Sequence, residues 1–395
     1  MKVRRRFGSV VEISERRLPD LKSLLMGAAG LAVRVEATAT CVVSGAQAEV
    51  SASEFSVLSC VSRSEWIDAE ALCRAADVDM DLILSMVDKR LLLSDRAECK
   101  GLVEADAQLE ARGWLPMAAA YHAATRWSGV LGDEAVRDHS PDAVRARMDQ
   151  SMRQFGAPPP HLPEHPEATV RIALGEQRVS PALSVLLGDR ATRRAYRTDL
   201  TLPFGQFGAV LHAAFAAQGA RTLAPHCVAM KRTSASGGGL HPIEPYVLVV
   251  NVEGLESGLY HYEWGRHALA LLRPVDTEIL RSCIERFVIG QSYFAEAHAL
   301  VFHVARASRN TWKYRKHAKA YKVLFMDSGH LSQTLYLAAA DLGLGAFFTG
   351  AVNDADFVQW AGLDPLDSIV IGANGFGIID ASRTELDMRP EPWEA

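Results

Sequence analysis

The sequence predicts an α+β protein, a central sheet flanked by helices, preceded by a small winged-helix-like domain. Three observations carry this. In the C-terminal half, β-branched runs such as Tyr246-Val-Leu-Val-Val-Asn251 mix with apolar patterns of helical period. Near the N-terminus, short β-branched runs precede three short helical patterns. Between these regions, Gly156-Ala-Pro-Pro-Pro-His-Leu-Pro-Glu-His-Pro166 packs five prolines into a stiff, extended connector. A chain of 395 residues suits two or three domains at roughly 100–200 residues each. The expected division is a winged-helix-like domain over 1–105, a module whose wing sheet can hold a peptide as an added strand, a helical connector and linker over 106–165, and a sheet-containing domain over 166–395.

Each element has a local reason. Val33–Ala37 and Cys41–Val43 read as small strands, with Ser44-Gly45 as a turn. Ser51, Asp68 and Asp79 are N-cap residues for helices over 52–60, 69–76 and 80–90, since their side chains can accept from free N–H groups of a first turn. Leu82, Ile83, Met86, Val87 and Leu91 recur at helical spacing and form a core face. Leu91–Leu93 then Ser94-Asp95 reads as a wing strand and its turn. Helix formers follow Pro116, and Ser140-Pro141 starts another helix with a cap and an N1 proline. Beyond the connector, helices are expected over 181–187, 203–217, 277–287, 318–342 and 354–361. Strands are expected over 245–252, 258–262, 299–305, 345–349 and 368–373.

Composition narrows the function. A net charge of −5 provides no global basic field for nucleic acid. The basic residues Lys2, Arg4, Arg5 and Arg6 precede no apolar signal-type segment and read as a solvated terminus. The candidate recognition helix 80–90 carries Asp81 and Asp88 beside Lys89 and Arg90, which is not a basic reading surface. Six cysteines show no CxxC and no zinc spacing, so no metal is expected and the thiols read as reduced in a cytoplasmic protein. No window has the length and apolarity of a membrane span.

Two segments carry ligand chemistry. In Ser234-Ala-Ser-Gly-Gly-Gly-Leu-His-Pro-Ile-Glu244, three glycines let a flat ligand lie on the peptide planes. Arg190, Arg193, Arg194 and Arg197 fall within eight positions around Thr192, and fixed guanidinium forks with a hydroxyl suit a phosphate.

Together these motifs resemble a known family. Arg190-Ala-Thr-Arg-Arg-Ala-Tyr196 is similar to the Arg-x-Ser-x-Arg-x-Phe motif of nitroreductase-fold flavoproteins. Arg232 to Glu244 resembles the Arg-x-x-Pro-Ser-Gly-Gly-x-Leu-Tyr/His-Pro-x-Glu signature of SagB-type peptide dehydrogenases, with Ala235 where proline is usual. Gly258–Tyr262, Gly329–Gln333 and Leu342–Gly345 resemble their next strand, central helix and helix exit. The resemblance runs over about 166–380. It implies a nitroreductase-like FMN domain and a homodimer. It places Arg190, Ala191, Thr192 and Arg194 at the ribityl phosphate, the backbone of Ser236, Gly237 and Gly238 against the flavin ring, and Gln333 and Gly350 at the cofactor. His330 reads as a structural histidine.

Members that oxidise azolines to azoles carry a Lys-Tyr pair before the central helix. Lys313 and Tyr314 match it. The resemblance therefore implies catalytic roles, Tyr314 taking a carbon-bound proton and Lys313 favouring its phenolate. A free phenol has a pKa of about 10, so it needs such help at neutral pH. Adjacent residues reach one site only through a turn or a helix start. The implied partners are a ribosomally made precursor peptide and cyclodehydratase subunits, with no nucleic acid and no membrane. Dehydrogenation of an unmodified residue, small-molecule NAD(P)H-dependent nitro or quinone reduction, and flavin-sensing DNA regulation remain open alternatives.

Overall fold

The computed structural model describes residues 1–19, 31–132, 138, 140–159, 169–170, 172–174, 179–225, 227–315 and 317–383. The chain divides into two compact units. The first is Met1–Arg126 completed by Arg306–Lys322 and Asp364–Ile369, and the second holds the rest. The expected segment 1–105 lies within the first unit. Residues 160–166 of the proline connector fall outside the described residues.

In the first unit, β1 (Lys2–Arg5) is followed by β2 (Ser9–Pro19), β3 (Leu31–Cys41) and β4 (Gln47–Glu49). Then come α1 (Ala52–Cys60), β5 (Ile67–Asp68), α2 (Ala69–Ala76), α3 (Met80–Asp88), β6 (Leu92–Ser94), α4 (Lys100–Ala111) and α5 (Pro116–Thr125). The caps act as the sequence predicts. Ser51 and Glu54 form a reciprocal capping box on α1, and Asp68 and Asp79 accept from the first-turn N–H groups of α2 and α3. Val57, Leu72, Ile83, Met86 and Leu92 then meet in one core.

Two expectations are corrected here. The basic N-terminus is not a solvated tail. It is the centre strand of a three-stranded sheet ordered β5-β1-β6. Arg6 is only 1% exposed, and Arg4 pairs with buried Asp106 at 3.0 Å. Burying the Arg4 guanidinium is offset by that ion pair and by its donating to Arg63 O. The strand expected at 33–37 is part of a longer strand, β3, while Val42 and Val43 of the strand expected at 41–43 lie in the turn that follows it. β3 pairs antiparallel with β2 from Ser9↔Cys41 to Pro19↔Leu31, and the chain turns only after Cys41.

The second unit contains α6 (Pro141–Phe155), α7 (Pro181–Asp189), α8 (Phe204–Phe215), β7 (Ala217–Ala224), β8 (Cys227–Arg232), β9 (Ile243–Val249), β10 (Gly258–Glu263) and β11 (Ala268–Pro274). After α9 (Thr277–Phe287) and β12 (Ala299–Arg306), the short helix α10 (Ala307–Lys313) belongs to the first unit. The long α11 (Ala320–Asp341), β13 (Leu344–Thr349), α12 (Asp354–Trp360) and β14 (Ser368–Ile378) complete the chain. The main sheet has six strands ordered β11-β10-β9-β12-β14-β13. Phe302 of β12 stacks on Phe357 of α12 at 3.9 Å between centroids, and Phe294 on Phe347 of β13 at 4.0 Å. The β7–β8 hairpin and β11 have no counterpart among the expected elements.

Candidate active site

The arginine segment is fixed by backbone pairing. β13 is an edge strand, and residues 192–197 lie along it and the end of β14. Thr192 bridges Ala346 in parallel, Tyr196 bridges Ile379, and the N–H of Arg193 donates to Ala346 O at 2.9 Å. The Tyr196 ring is buried against Phe347, and its hydroxyl donates to Arg193 O at 2.8 Å. Gly345 lets the segment approach, because a Cβ there would sit 2.7 Å from the Cβ of Arg193.

These contacts open a cleft of about 950 Å³ whose lining includes Arg190, Ala191, Thr192, Arg193, Arg194 and Tyr336. The Arg190 guanidinium lies over the Tyr336 ring at 5.7 Å, and the hydroxyls of Thr192 and Tyr336 are 3.3 Å apart. Three guanidiniums and two hydroxyls suit a phosphate monoester in donor type and charge. Arg197 is not a lining residue. Its guanidinium is bidentate to Asp199 at 2.8 and 2.7 Å, and that bonding holds the Asp199 carboxyl down at about 2. Tyr336 is the residue that sequence reasoning missed. It falls one face along α11 among other small and apolar residues, and no local spacing marks it.

The glycine loop is held by α11. Ser236 Oγ donates to Asp327 Oδ2 at 2.6 Å, and the Gly237 N–H donates to Asp327 Oδ1 at 2.9 Å. Gly238 and Gly239 take φ of +64° and +65°, which only glycine adopts without strain. The chain can then turn back into β9. His241 is buried, with Nε2 3.0 Å from Met230 O. His330 Nδ1 lies 3.1 Å from Ala235 O, a structural contact.

The remaining expected residues are placed as follows. Gln333 is on the exposed side of α11, and Gly350 is exposed just after β13. Lys313 ends α10 and Tyr314 is its C-cap, in the first unit. The adjacent pair therefore sits at a helix end, not a helix start. The Lys313 Nζ lies 5.6 Å from the Tyr314 ring centroid.

The nitroreductase family model, described as "Nitroreductase family", matches residues 187–378. A Methanocaldococcus jannaschii protein provisionally named a nitroreductase is 29% identical over 186 residues, covering 47% of this chain and 86% of that protein. The trifolitoxin-processing protein TfxB of Rhizobium leguminosarum bv. trifolii is 31% identical over 137 residues, covering 34% of this chain and 36% of its own length. Among solved structures, an E. coli microcin synthetase complex with bound truncated precursor is similar at 18% identity and TM-score 0.48, over 69% of this chain and 97% of that one. A Desulfovibrio desulfuricans nitroreductase-type structure in complex with FMN is similar at 15% identity and TM-score 0.35, over 54% of this chain and 94% of that one. Residues 187–378, which hold the arginine segment and the sheet edge that fixes it, are a nitroreductase-family domain.

Proposed function

We propose that this protein is an FMN-dependent dehydrogenase that matures a ribosomally made peptide, oxidising thiazoline or oxazoline rings to thiazole or oxazole. The observation that carries the reading is the cleft lined by Arg190, Thr192, Arg193 and Arg194, whose donor set suits a ribityl phosphate. The stretch similar to a trifolitoxin-processing protein supports a peptide substrate. Azoline oxidation removes two hydrogens, one as a proton from a ring carbon, and the aromatic product makes the reaction downhill. Bound FMN supplies the two-electron acceptor. The chain's residues do the rest. Arg190, Thr192 and Arg194 hold the phosphate, Gly350 and Gln333 border the cofactor, and Ser236–Gly238 support the flat ring. Tyr314 takes the proton, with the Lys313 ammonium beside it to favour the phenolate.

Residues 1–105 would grip the precursor, by strand addition to a sheet edge, with cyclodehydratase subunits supplying the azoline. A homodimer suits the exposed apolar side chains Met148, Met152 and Phe155 on α6 and Leu183, Val185 and Leu187 on α7. The described cysteines are all free, in keeping with a reducing, cytoplasmic setting. Among the described residues no helix is long and apolar enough to cross a membrane.

The test is reconstitution with FMN followed by anaerobic mixing with an azoline-bearing precursor peptide. Flavin bleaching with a peptide mass loss of two hydrogens is expected. Rapid NAD(P)H consumption without peptide, and no bleaching with it, would favour a small-molecule reductase instead.

A further inference from the structure

One face of α11 grips the glycine loop from below. Asp327, His330 and Thr334 are spaced three and four residues apart, so they share that face. Thr334 Oγ1 lies 2.6 Å from Ser234 Oγ, and His330 Nδ1 holds Ala235 O. Asp327 does more than its neighbours. It is 3% exposed, and its two carboxylate oxygens take separate donors from consecutive residues, the Ser236 hydroxyl and the Gly237 N–H. Ser236 Oγ in turn accepts the His241 N–H at 2.9 Å, which carries the same clamp to the far end of the loop. Among the described residues, no Lys, Arg or His forms an ion pair with Asp327. Its charge is met by the loop's own donors.

We propose that Asp327 is the positioning residue of this site: it sets the shape of Ser236–Gly238 and places a fixed negative charge under the flat ring that lies on them. The proposal rests on the FMN reading above. The clamp turns the Gly237 N–H inward to the carboxylate, so this donor is not offered to the ligand. It also leaves the faces of the peptide planes from Ser236 to Gly238 as the surface the ligand meets. A negative charge beneath a redox ring disfavours its electron-rich reduced form, so Asp327 keeps the bound cofactor harder to reduce and quicker to give electrons up.

Three variants separate shape from charge. Asp327→Asn keeps an oxygen for the Gly237 N–H and offers an N–H to Ser236 Oγ, so the geometry survives without the charge. Asp327→Ala removes both. Ser236→Ala removes both bonds of the hydroxyl, to Asp327 and from the His241 N–H, and leaves the carboxylate. Backbone amide exchange over 234–241 in FMN-free protein reads the loop, FMN affinity by fluorescence quenching reads the site, and the midpoint potential of bound FMN reads the charge. In Asp327→Ala, exchange and the FMN dissociation constant should both rise roughly tenfold to a hundredfold, the cost of losing charge-assisted hydrogen bonds. Asp327→Asn should hold both within about threefold of wild type while the potential rises. If Asp327→Ala does not fold, Ser236→Ala should still raise exchange over 234–241. Wild-type exchange in both Asp327→Ala and Ser236→Ala overturns the clamp, and an unchanged potential in Asp327→Asn overturns the electrostatic role. Wild-type protein that binds no FMN would refute the cofactor reading alone, because the exchange arm still judges the clamp.

Discussion

Replacing Gly237 by alanine tests how the loop is packed on α11. A Cβ at this position would lie 2.2 Å from Cγ1 of Val323, but 3.5 and 3.7 Å from its Cβ and Cγ2. The clash is therefore with one methyl group. Gly237 is outside the left-handed region, unlike Gly238 and Gly239, so backbone strain adds nothing. Valine in a helix is confined almost to one χ1 well, so the methyl cannot swing aside cheaply. Forcing an extra methyl into such a contact costs about 1–3 kcal/mol. Val323→Ala removes the offending methyl. It should cost about 1 kcal/mol by itself, since the side chain is half-buried. If the contact is the cause, the double variant should recover about 1–2 kcal/mol relative to the sum of the singles. Urea unfolding of the four FMN-free proteins measures this. A Gly237→Ala protein as stable as wild type, or a penalty that persists unchanged in the Val323→Ala background, would refute the packing argument.

Arg194→Ala should raise the FMN dissociation constant about 10–100-fold, from losing a charge-assisted phosphate contact; flavin retention through gel filtration checks it. Tyr314→Phe should keep FMN yet slow single-turnover flavin bleaching about 10²–10⁴-fold if the hydroxyl is the base. Bleaching at the wild-type rate would assign this ring to packing. His122 stacks on Trp114 and shares a hydrogen bond with the Tyr321 hydroxyl, and burial, aided by Arg126, pushes its pKa down to about 4. The neutral ring therefore stabilises the fold above about pH 6.5, and that contribution is lost as pH falls toward the folded value. Unfolding free energy should drop by about 2 kcal/mol between pH 7 and pH 5 from this group, and a His122→Gln variant should lack that part of the slope.

What the sequence revealed was mostly local. The caps Ser51, Asp68, Asp79 and Ser140 act within three residues of themselves, so they are readable without the fold. The strands of the main sheet other than β11 are also legible, since a strand buried over residues 299–305 is an apolar run broken only by His303. Pairing was not legible. β1 looks like a basic tail until Ile67–Asp68 and Leu92–Ser94 come to its two edges. The β7–β8 hairpin is exposed along most of its length and lacks a clear apolar alternation. At the site, the arginines and glycines announce themselves by clustering. Tyr336 and Asp327 do not, because each is a single polar residue on a long helix whose role appears only when a distant loop is laid against it.

The first unit has a consequence for how the chain is made. Its closing stretch, Asp364–Ile369, supplies Asp364 to Arg112 at 2.6 Å and Leu366 O to the Trp114 indole at 3.3 Å. Thr311, from its middle stretch, donates to Arg112 O. During vectorial synthesis, Arg112 and Trp114 leave the ribosome long before these partners exist. The N-terminal unit can start its own helices early, but it is sealed only when almost the whole protein has emerged. Such high contact order slows folding. It also means that residues 1–126 are not a cassette to be moved into another protein: transplanted alone, they would carry an open flank where two later pieces of chain belong.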